Sequence, residues 1–198
     1  GDNCTFSETG VGTGASLFQI HSSTGAVTLS SGQSLDYETA QSYTYTVQIS
    51  DGSLTYSEQF TIAVTDVNEA PTNITGTLTI AESASSGTSA GTLTDVDPDG
   101  DNCTFSETGA GTGASLFQIH SSTGVVTLSS GQSLNYEGAS SYTYTVQISD
   151  GSLTYSEQIT ISVTNVNEAP TNITGTLSIA ENVASGTDRK RVVEGKNV

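Results

Sequence analysis

The chain has 198 residues, a formal net charge of −17 at pH 7, and neither Met nor Trp. This charge argues against nucleic acid and anionic membrane as partners, and no apolar run approaches the ~20 residues of a membrane helix. All basic residues lie in the last ten positions, as Arg189, Lys190, Arg191 and Lys196, whereas residues 1–188 contain 20 Asp and Glu. These carboxylates must therefore be spread apart, protonated, or neutralised by a cation from solution.

The chain repeats itself with an offset of 99 residues. Residues 1–89 and 100–188 differ at 13 of 89 aligned positions. A unit of this length is a small domain rather than a solenoid turn. We expect a partial first domain at 1–70, which lacks its N-terminal strands, and a complete second domain at 71–169. Residues 170–187 are expected to be the first strand of a third repeat or a strand that completes a neighbouring domain.

The predicted elements are short strands. Apolar and polar residues alternate with period two, which is typical of strands with one buried face. In chain order, the apolar positions of the second unit are Ile74, Leu78 and Ile80; Cys103 and Phe105; Phe117 and Ile119; Val126 and Leu128; Tyr142, Tyr144, Val146 and Ile148; and Ile159, Ile161 and Val163. The pattern predicts an all-β fold in which each unit is an antiparallel β-sandwich of about seven strands.

Acidic residues cluster where these strands end. The clusters lie in LDYE at 35–38, DVNEAP at 66–71, DVDPDGDN at 95–102 and SDG at 149–151, and Glu82 follows the strand at 78–80. Ca²⁺ takes six to eight oxygen ligands, and carboxylates spaced by one residue can turn toward one ion. A single Asp-x-Asp is weak evidence because turns use it often. Several clusters recurring in a fixed order favour a calcium site.

These motifs resemble the cadherin repeat, of the tandem kind found in large bacterial surface proteins. The family pattern is an acid after the first strand, then Asp-x-Asp, an L-D-x-E motif, Asp-Gly and D-x-N-D-N-x-P. The matching positions are Glu82, Asp95–Asp97, LNYE at 134–137, Asp150 with Gly151, and NVNEAP at 165–170. The resemblance covers residues 1–187. It implies an end-to-end array of seven-stranded Greek-key sandwiches with Ca²⁺ at each joint.

The resemblance also implies ligands. At the first joint the expected ligands are Asp36, Glu38, Asp66, Asn68, Glu69, Asp95, Asp97, Asp150 and the backbone carbonyl of Asn102; at the second they are Glu82, Glu137, Asn167 and Glu168. The acid expected after the first strand of unit one is not in the chain, and the linker is one residue shorter than the common family form. Asp36 and Asp66 become Asn135 and Asn165 in the second unit, so we expect weaker binding at the second joint.

The function that these features predict is a calcium-stiffened extracellular spacer or adhesion module of a large repetitive cell-surface protein. Its expected partners are calcium ions, neighbouring repeats, and another surface protein or a glycan. No catalytic constellation can be built around one His per unit, so we do not expect an enzyme. The alternatives are an accessory β-sandwich region of a secreted multidomain enzyme and a carbohydrate-binding module.

Three other features carry less weight. Cys4 and Cys103 occupy equivalent positions, too far apart in such an array for a disulfide, so we expect buried free thiols, with an intermolecular bridge as the alternative. His21 and His120 each follow a strand without a second zinc ligand nearby and are expected to be turn residues. Residues 188–198 break the repeat, which indicates an artificial or disordered extension or a shifted reading frame, with a genuine basic tail as the alternative.

Overall fold

The structure is a computed structural model, and it describes residues 4–170 and residue 181. Within these residues the only regular elements are strands, fourteen of them. The chain divides into two compact units: unit 1 is Gly1–Ala70 with Asp97–Asp101, and unit 2 is Pro71–Val96 with Asn102–Val198. The all-β prediction is confirmed.

Unit 1 contains the first five strands. They are β1 (Thr5–Glu8), β2 (Phe18–Ile20), β3 (Val27–Leu29), β4 (Ser42–Ser50) and β5 (Thr55–Ala63). One sheet has the order β1-β4-β5, and β2 pairs with β3 in a second. The buried core consists of Phe18, Tyr45 and Val47, with Phe18 in edge-to-face contact with the Tyr45 ring.

Unit 2 contains nine strand segments. They are β6 (Asn73–Thr75), β7 (Leu78–Ala81), β8 (Ser89–Thr92), β9 (Thr94–Val96), β10 (Thr104–Glu107), β11 (Phe117–Ile119), β12 (Val125–Leu128), β13 (Ser141–Ser149) and β14 (Thr154–Thr164). The sheets have the orders β10-β13-β14-β7, β11-β12-β8 and β6-β9. The connections β7–β8, β10–β11 and β12–β13 cross from one sheet to another, as in a Greek-key sandwich.

Two breaks explain why seven predicted strands become nine segments. Gly76 separates β6 from β7, with a φ of 144° and space so tight that a Cβ would lie 2.6 Å from the carbonyl oxygen of Thr92. Leu93 separates β8 from β9. Because of these breaks, β6 and β9 pair with each other, while β7 joins β14 and β8 joins β12. Each interrupted strand therefore contributes to two sheets.

One feature of the predicted sheets is wrong. The pairing is not antiparallel throughout, since β7 runs parallel to β14 with Ile161 opposite Leu78 and Val163 opposite Ile80. Side chains alternate between inward and outward positions in the same way in parallel and antiparallel strands, so the residue pattern could not reveal that β7 and β14 are parallel. The predicted inward positions are otherwise confirmed in the core, where Tyr144, Val146, Ile148 and Ile161 are fully buried.

Equivalent residues of the two units differ in burial. Val126 and Leu128 are 0% exposed, whereas Val27 and Leu29 are 41% and 38% exposed. In unit 2, β8 pairs with β12 and covers these side chains. Among the described residues of unit 1, no strand pairs with the corresponding edge of β3.

The same difference corrects the prediction for the cysteines. Within the described residues neither cysteine forms a disulfide, and Cys103 is buried whereas Cys4 is exposed. Cys103 follows β9, and its backbone N–H donates to Asp95 at 2.9 Å. The described part of unit 1 contains no counterpart of β9, so Cys4 lacks this cover.

The expectations for 171–187 and for the tail at 188–198 concern residues outside the described part, apart from residue 181. Within the described residues there is no helix with the length and apolar character needed to cross a membrane. His21 and His120 lie in turns, where each Nδ1 is within 3.3 Å of the hydroxyl of Ser23 or Ser122.

Candidate metal centres

Unit 1 brings three acids together, and we call Glu38, Glu69 and Asp99 the first acidic cluster. One carboxylate oxygen from each lies within 4.8 Å of the others. Glu38 stands in a turn that Asp36 closes by accepting the N–H of Thr39 at 2.8 Å. Glu69 follows β5, and its backbone N–H donates to Oδ2 of Asp99 at 2.7 Å.

Asp99 is fixed by a tight turn within Asp97–Asp101. Oδ1 of Asp97 accepts the N–H of Asp99 at 3.0 Å and that of Asp101 at 3.3 Å. This turn directs the Asp99 side chain at Glu69. Its other oxygen, Oδ1, is buried and has no hydrogen-bond partner among the described residues. A buried carboxylate oxygen without a donor is costly, and a bound cation would remove that cost.

The electrostatics of the first cluster are unfavourable without a cation. Burial raises the pKa of Glu69, and the charges of Glu38, Asp99, Asp36 and Asp66 raise it further. Residues 1–188 contain no Lys or Arg that could offset this repulsion. The cluster supplies only hard carboxylate oxygens, which are the ligands that Ca²⁺ prefers. The residues therefore fit a divalent cation.

Unit 2 forms a second acidic cluster from Glu82, Glu137 and Glu168, again with oxygens within 4.8 Å. Glu82 lies directly after β7 and is only 6% exposed. Its Oε1 accepts the N–H of Val166 at 2.6 Å, and its Oε2 accepts the N–H of Tyr136 at 2.7 Å. These two donors, the first of them foremost, lower the pKa of Glu82.

An amide group borders the second cluster where the first repeat has a carboxylate. Nδ2 of Asn165 donates to Oε1 of Glu137 at 3.2 Å, and the equivalent residue in unit 1 is Asp66. The second cluster therefore has less negative charge around it and more hydrogen-bond donors. The two N–H donors favour the ionised form of Glu82 even without a metal.

The other acids predicted from the sequence are not members of either cluster. Asp95 accepts the N–H of Cys103, and Oδ1 of Asp150 accepts the N–H groups of Ser152 and Leu153 at 2.6 and 2.7 Å in the β13–β14 turn. Asn68 donates from Nδ2 to the Glu69 carbonyl at 3.3 Å. Of the predicted acids, Asp36, Asp66, Asp95, Asp97 and Asp150 lie outside both clusters.

Asp99 is the member of the clusters that the sequence prediction missed. The Asp-x-Asp motif predicted Asp95 and Asp97 as ligands. In the structure, Asp97 accepts a backbone N–H within the turn, and Asp99 lies beside Glu38 and Glu69. The available signal was the Asp-Pro-Asp-Gly sequence at 97–100, which is typical of a turn. In such a turn the side chain of the first residue can accept backbone N–H groups of the turn, while the side chain of the third residue points toward a site.

With this geometry described, comparison with known proteins identifies the class. The family model for the Cadherin domain matches residues 77–164, which belong to unit 2 apart from Asp97–Asp101. The fold is thus a cadherin-like β-sandwich. A search of curated proteins gave no match.

Solved structures show the same likeness. Human protocadherin-24 EC1-2 is 22% identical, with 85% of this chain and 84% of that chain covered and a TM-score of 0.63. The extracellular cadherin domains 3-6 of protocadherin gamma B2 are 22% identical, with 85% and 41% covered and a TM-score of 0.60. The protocadherin gammaB7 EC3-6 cis-dimer structure is 30% identical, with 85% and 42% covered and a TM-score of 0.55.

Proposed function

We propose that the chain is a calcium-binding spacer or adhesion module of a larger extracellular surface protein. The observation that carries the proposal is the buried Oδ1 of Asp99, which has no described hydrogen-bond partner and stands beside Glu38 and Glu69. Calcium supplies the missing partner for that oxygen and cancels the repulsion that raises the pKa of Glu69. Glu82, Glu137 and Glu168 are proposed as a second site, which binds calcium more weakly.

The choice of calcium rests on the ligand set. Three carboxylates offer at most six oxygens, and water can complete a shell of six to eight. Mg²⁺ demands a stricter octahedron and keeps more of its water, which suits a loosely arranged acidic surface less well. The absence of His and Cys from both clusters disfavours zinc.

The path of the chain supports the spacer role. Unit 1 includes Asp97–Asp101, and both ends of this segment continue covalently into unit 2, at Val96 and Asn102. The chain therefore passes between the units three times, counting the Ala70–Pro71 bond. A cation bound to Glu38, Glu69 and Asp99 fastens this segment within unit 1. Calcium should accordingly restrain bending between the units.

Small-angle scattering and thermal melting in calcium and in chelator test the proposal. Measurements should be made at concentrations where the chain is monomeric. In wild type, calcium is expected to raise the melting temperature, lengthen the maximum dimension and narrow the distance distribution. At a free concentration 100 times the dissociation constant, one site adds ~2.7 kcal/mol to stability.

Two variants of the same turn provide the matched comparison. Asp99→Asn should lose the calcium response of unit 1, whereas Asp101→Asn makes the same charge change outside the cluster and should keep it. If wild type gives the same melt and the same scattering profile in calcium and in chelator, the proposed function is wrong.

A further inference from the structure

The chain contains three Asp-Gly bonds, which are Asp51–Gly52, Asp99–Gly100 and Asp150–Gly151. Each glycine is exposed and has a positive φ, of 96°, 76° and 104° in the same order. Glycine has no Cβ that could shield its backbone nitrogen from the carboxyl carbon of the residue before it. All three bonds therefore meet the covalent requirement for attack of that nitrogen on the side chain, and the surroundings of each carboxylate distinguish them.

Two of the carboxylates are held in closed hairpin turns. Oδ1 of Asp51 accepts the N–H groups of Ser53 and Leu54, both at 2.8 Å, and Oδ1 of Asp150 accepts the equivalent pair at 2.6 and 2.7 Å. The paired strands β4–β5 and β13–β14 close these two turns. The N–H of Leu54 foremost, and then that of Ser53, lowers the pKa of Asp51. Two donors and a closed turn therefore keep each of these carboxylates in place.

The carboxylate of Asp99 has a less favourable position. Its Oδ2 accepts the N–H of Glu69 at 2.7 Å, whereas its Oδ1 is buried and has no hydrogen-bond partner among the described residues. Carboxylate oxygens of Glu38 and Glu69 lie within 4.8 Å of it. Without a cation, rotation of the Asp99 side chain out of the cluster therefore relieves both the repulsion and the burial of an unpaired oxygen.

The backbone around Asp99 is also less constrained than a hairpin turn. The loop joins β9 to β10, and these strands do not pair with each other, because β9 pairs with β6 and β10 with β13. The N–H of Gly100 donates to the carbonyl oxygen of Asp97 at 3.2 Å, which is the long end of the usual range. Rotation of the Asp99 side chain can therefore bring its carboxyl carbon to the nitrogen of Gly100.

We propose that Asp99–Gly100 is a site of spontaneous isomerisation to isoaspartate, and that calcium bound at the first acidic cluster protects it. The choice of this bond over the other two rests on the contacts of the three carboxylates, and the protection rests on the proposed function. A cation gives the buried Oδ1 a partner and cancels the repulsion from Glu38 and Glu69, so it holds the side chain in the cluster.

The reaction needs no reagent other than water. The backbone nitrogen of Gly100 attacks Cγ of Asp99, a C–N bond forms, and a C–O bond of the carboxyl group breaks. The departing oxygen leaves as water, with the amide proton and one proton from solvent, and a cyclic imide remains. Water then opens the imide. Attack at the former side-chain carbonyl restores aspartate, whereas attack at the backbone carbonyl leaves the chain joined through Cγ, as isoaspartate.

Isomerisation removes a member of the first acidic cluster. In isoaspartate the main chain at position 99 contains an additional methylene group, and the carboxylate is attached directly to Cα. The carboxylate is therefore displaced from Glu38 and Glu69, and from the Glu69 N–H that Oδ2 of Asp99 accepts. A period without calcium would thus leave a lasting defect in the calcium site.

Peptide mapping of isoaspartate at the three bonds tests the choice of site. The full chain is incubated at neutral pH and physiological temperature, in calcium or in chelator. In chelator, isoaspartate is expected to form at position 99 roughly tenfold faster than at position 51 or 150, because hydrogen bonds to a charged group hold those two side chains. Equal rates at the three bonds, or a faster rate in either hairpin, would overturn the proposal.

The samples in calcium test the protection. Saturating calcium should lower the rate at position 99 roughly tenfold and leave the rates at positions 51 and 150 unchanged. Equilibrium dialysis of the fresh chain separates this inference from the proposed function. If the chain retains calcium but the rate at position 99 does not fall, the protection is wrong and the proposed function stands. If the chain retains no calcium, the proposed function fails, and the rates in chelator still decide the choice of site.

Two variants test whether repulsion within the cluster drives the reaction. Glu69→Gln removes a carboxylate but keeps the backbone N–H that Asp99 accepts, so in chelator isoaspartate should form at position 99 several-fold more slowly. Glu58→Gln makes the same charge change in β5, outside the cluster, and should leave that rate unchanged. Equal rates in the two variants would contradict the role of the repulsion.

A third variant tests the effect on the calcium site. Asp99→Glu keeps the carboxylate but lengthens the side chain, so the imide would need a larger ring, which forms far more slowly. After incubation in chelator and return to calcium, wild type is expected to retain fewer calcium ions than before incubation, and Asp99→Glu as many as its own fresh sample. If wild type that contains isoaspartate at position 99 retains as much calcium as fresh protein, isomerisation does not damage the cluster and the proposal is wrong.

Discussion

The two units have nearly the same sequence but different surroundings, and the comparison separates what a residue contributes from what its neighbours contribute. Both units bury the central tyrosine of β4 or β13, Tyr45 or Tyr144, and hydrogen-bond it to a glutamate, Glu8 at 2.9 Å or Glu107 at 3.0 Å. Burial foremost, and then Glu8, raises the pKa of Tyr45 to about 12. This tyrosine–glutamate hydrogen bond joins only strands that are present in both units.

Features that depend on β6–β9 differ between the units. Val126 and Leu128 are fully buried in unit 2, whereas their equivalents in unit 1, Val27 and Leu29, are exposed. The acidic clusters differ in the same way. The second is built around Glu82, which follows β7 and is held by two backbone N–H groups, whereas the first is crowded by carboxylates.

The largest expected effect comes from an identical substitution at equivalent core positions. Leu128→Ala should lower the free energy of unfolding of unit 2 by about 2–5 kcal/mol, because it leaves a cavity in a sealed core. Leu29→Ala should cost unit 1 less than about 1 kcal/mol, since solvent already reaches that side chain. Urea unfolding followed by backbone NMR resolves the units. Equal losses would contradict the difference in packing.

A reciprocal exchange of charge sharpens the comparison of the clusters. Asn165→Asp replaces the amide beside Glu137 with a carboxylate, so calcium should bind the second cluster roughly tenfold more tightly, about 1.4 kcal/mol. Asp66→Asn removes one of the charges that raise the pKa of Glu69 and should weaken calcium binding at the first cluster. Calorimetric calcium titrations of both variants measure this. Affinities that do not change in opposite directions would count against the role of these charges.

A smaller effect is a difference in acid response without calcium. The folded-state pKa of Glu69 lies above its ordinary value of 4.5, so this group favours folding of unit 1 once it is protonated and loses that contribution as pH rises through the folded pKa. The folded-state pKa of Glu82 lies below 4.5, so its contribution to unit 2 is present above 4.5 and lost as pH falls through the folded pKa.

NMR titration of the two carboxyl groups in chelator checks this prediction. The Glu69 resonance should titrate at a higher pH than an exposed glutamate, and the Glu82 resonance at a lower pH. The reference is the ordinary glutamate pKa of 4.5. Coincident titration of Glu69 and Glu82 would show that the two clusters are electrostatically alike.

Much of the fold was predictable because the alternation of apolar and polar residues along a strand indicates which side chains are buried. Tyr144, Val146 and Ile148 alternate in sequence and are buried in β13. The parallel β7–β14 pairing was not predictable, since alternation carries no strand direction. The break at Gly76 was not predictable either, because Ile74 and Leu78 lie an even number of residues apart and are both buried, as they would be in one continuous strand.

The candidate site was predictable only in part, for a related reason. The motifs identified which segments are acidic, and five of the predicted ligands, Glu38, Glu69, Glu82, Glu137 and Glu168, belong to the two clusters. Within a turn, however, only the backbone geometry decides which carboxylate caps N–H groups and which points toward other acids. Asp97 does the first and Asp99 the second.

The most direct test of the central claim is equilibrium dialysis of the chain against calcium. Concentrations should extend through ~10⁻⁴–10⁻³ M, the usual range of extracellular calcium modules. Wild type is predicted to retain at least two calcium ions per chain, Asp99→Asn at least one fewer, and Asp101→Asn as many as wild type. If wild type retains no calcium, or if Asp99→Asn retains as much as wild type, the first acidic cluster is not a calcium site.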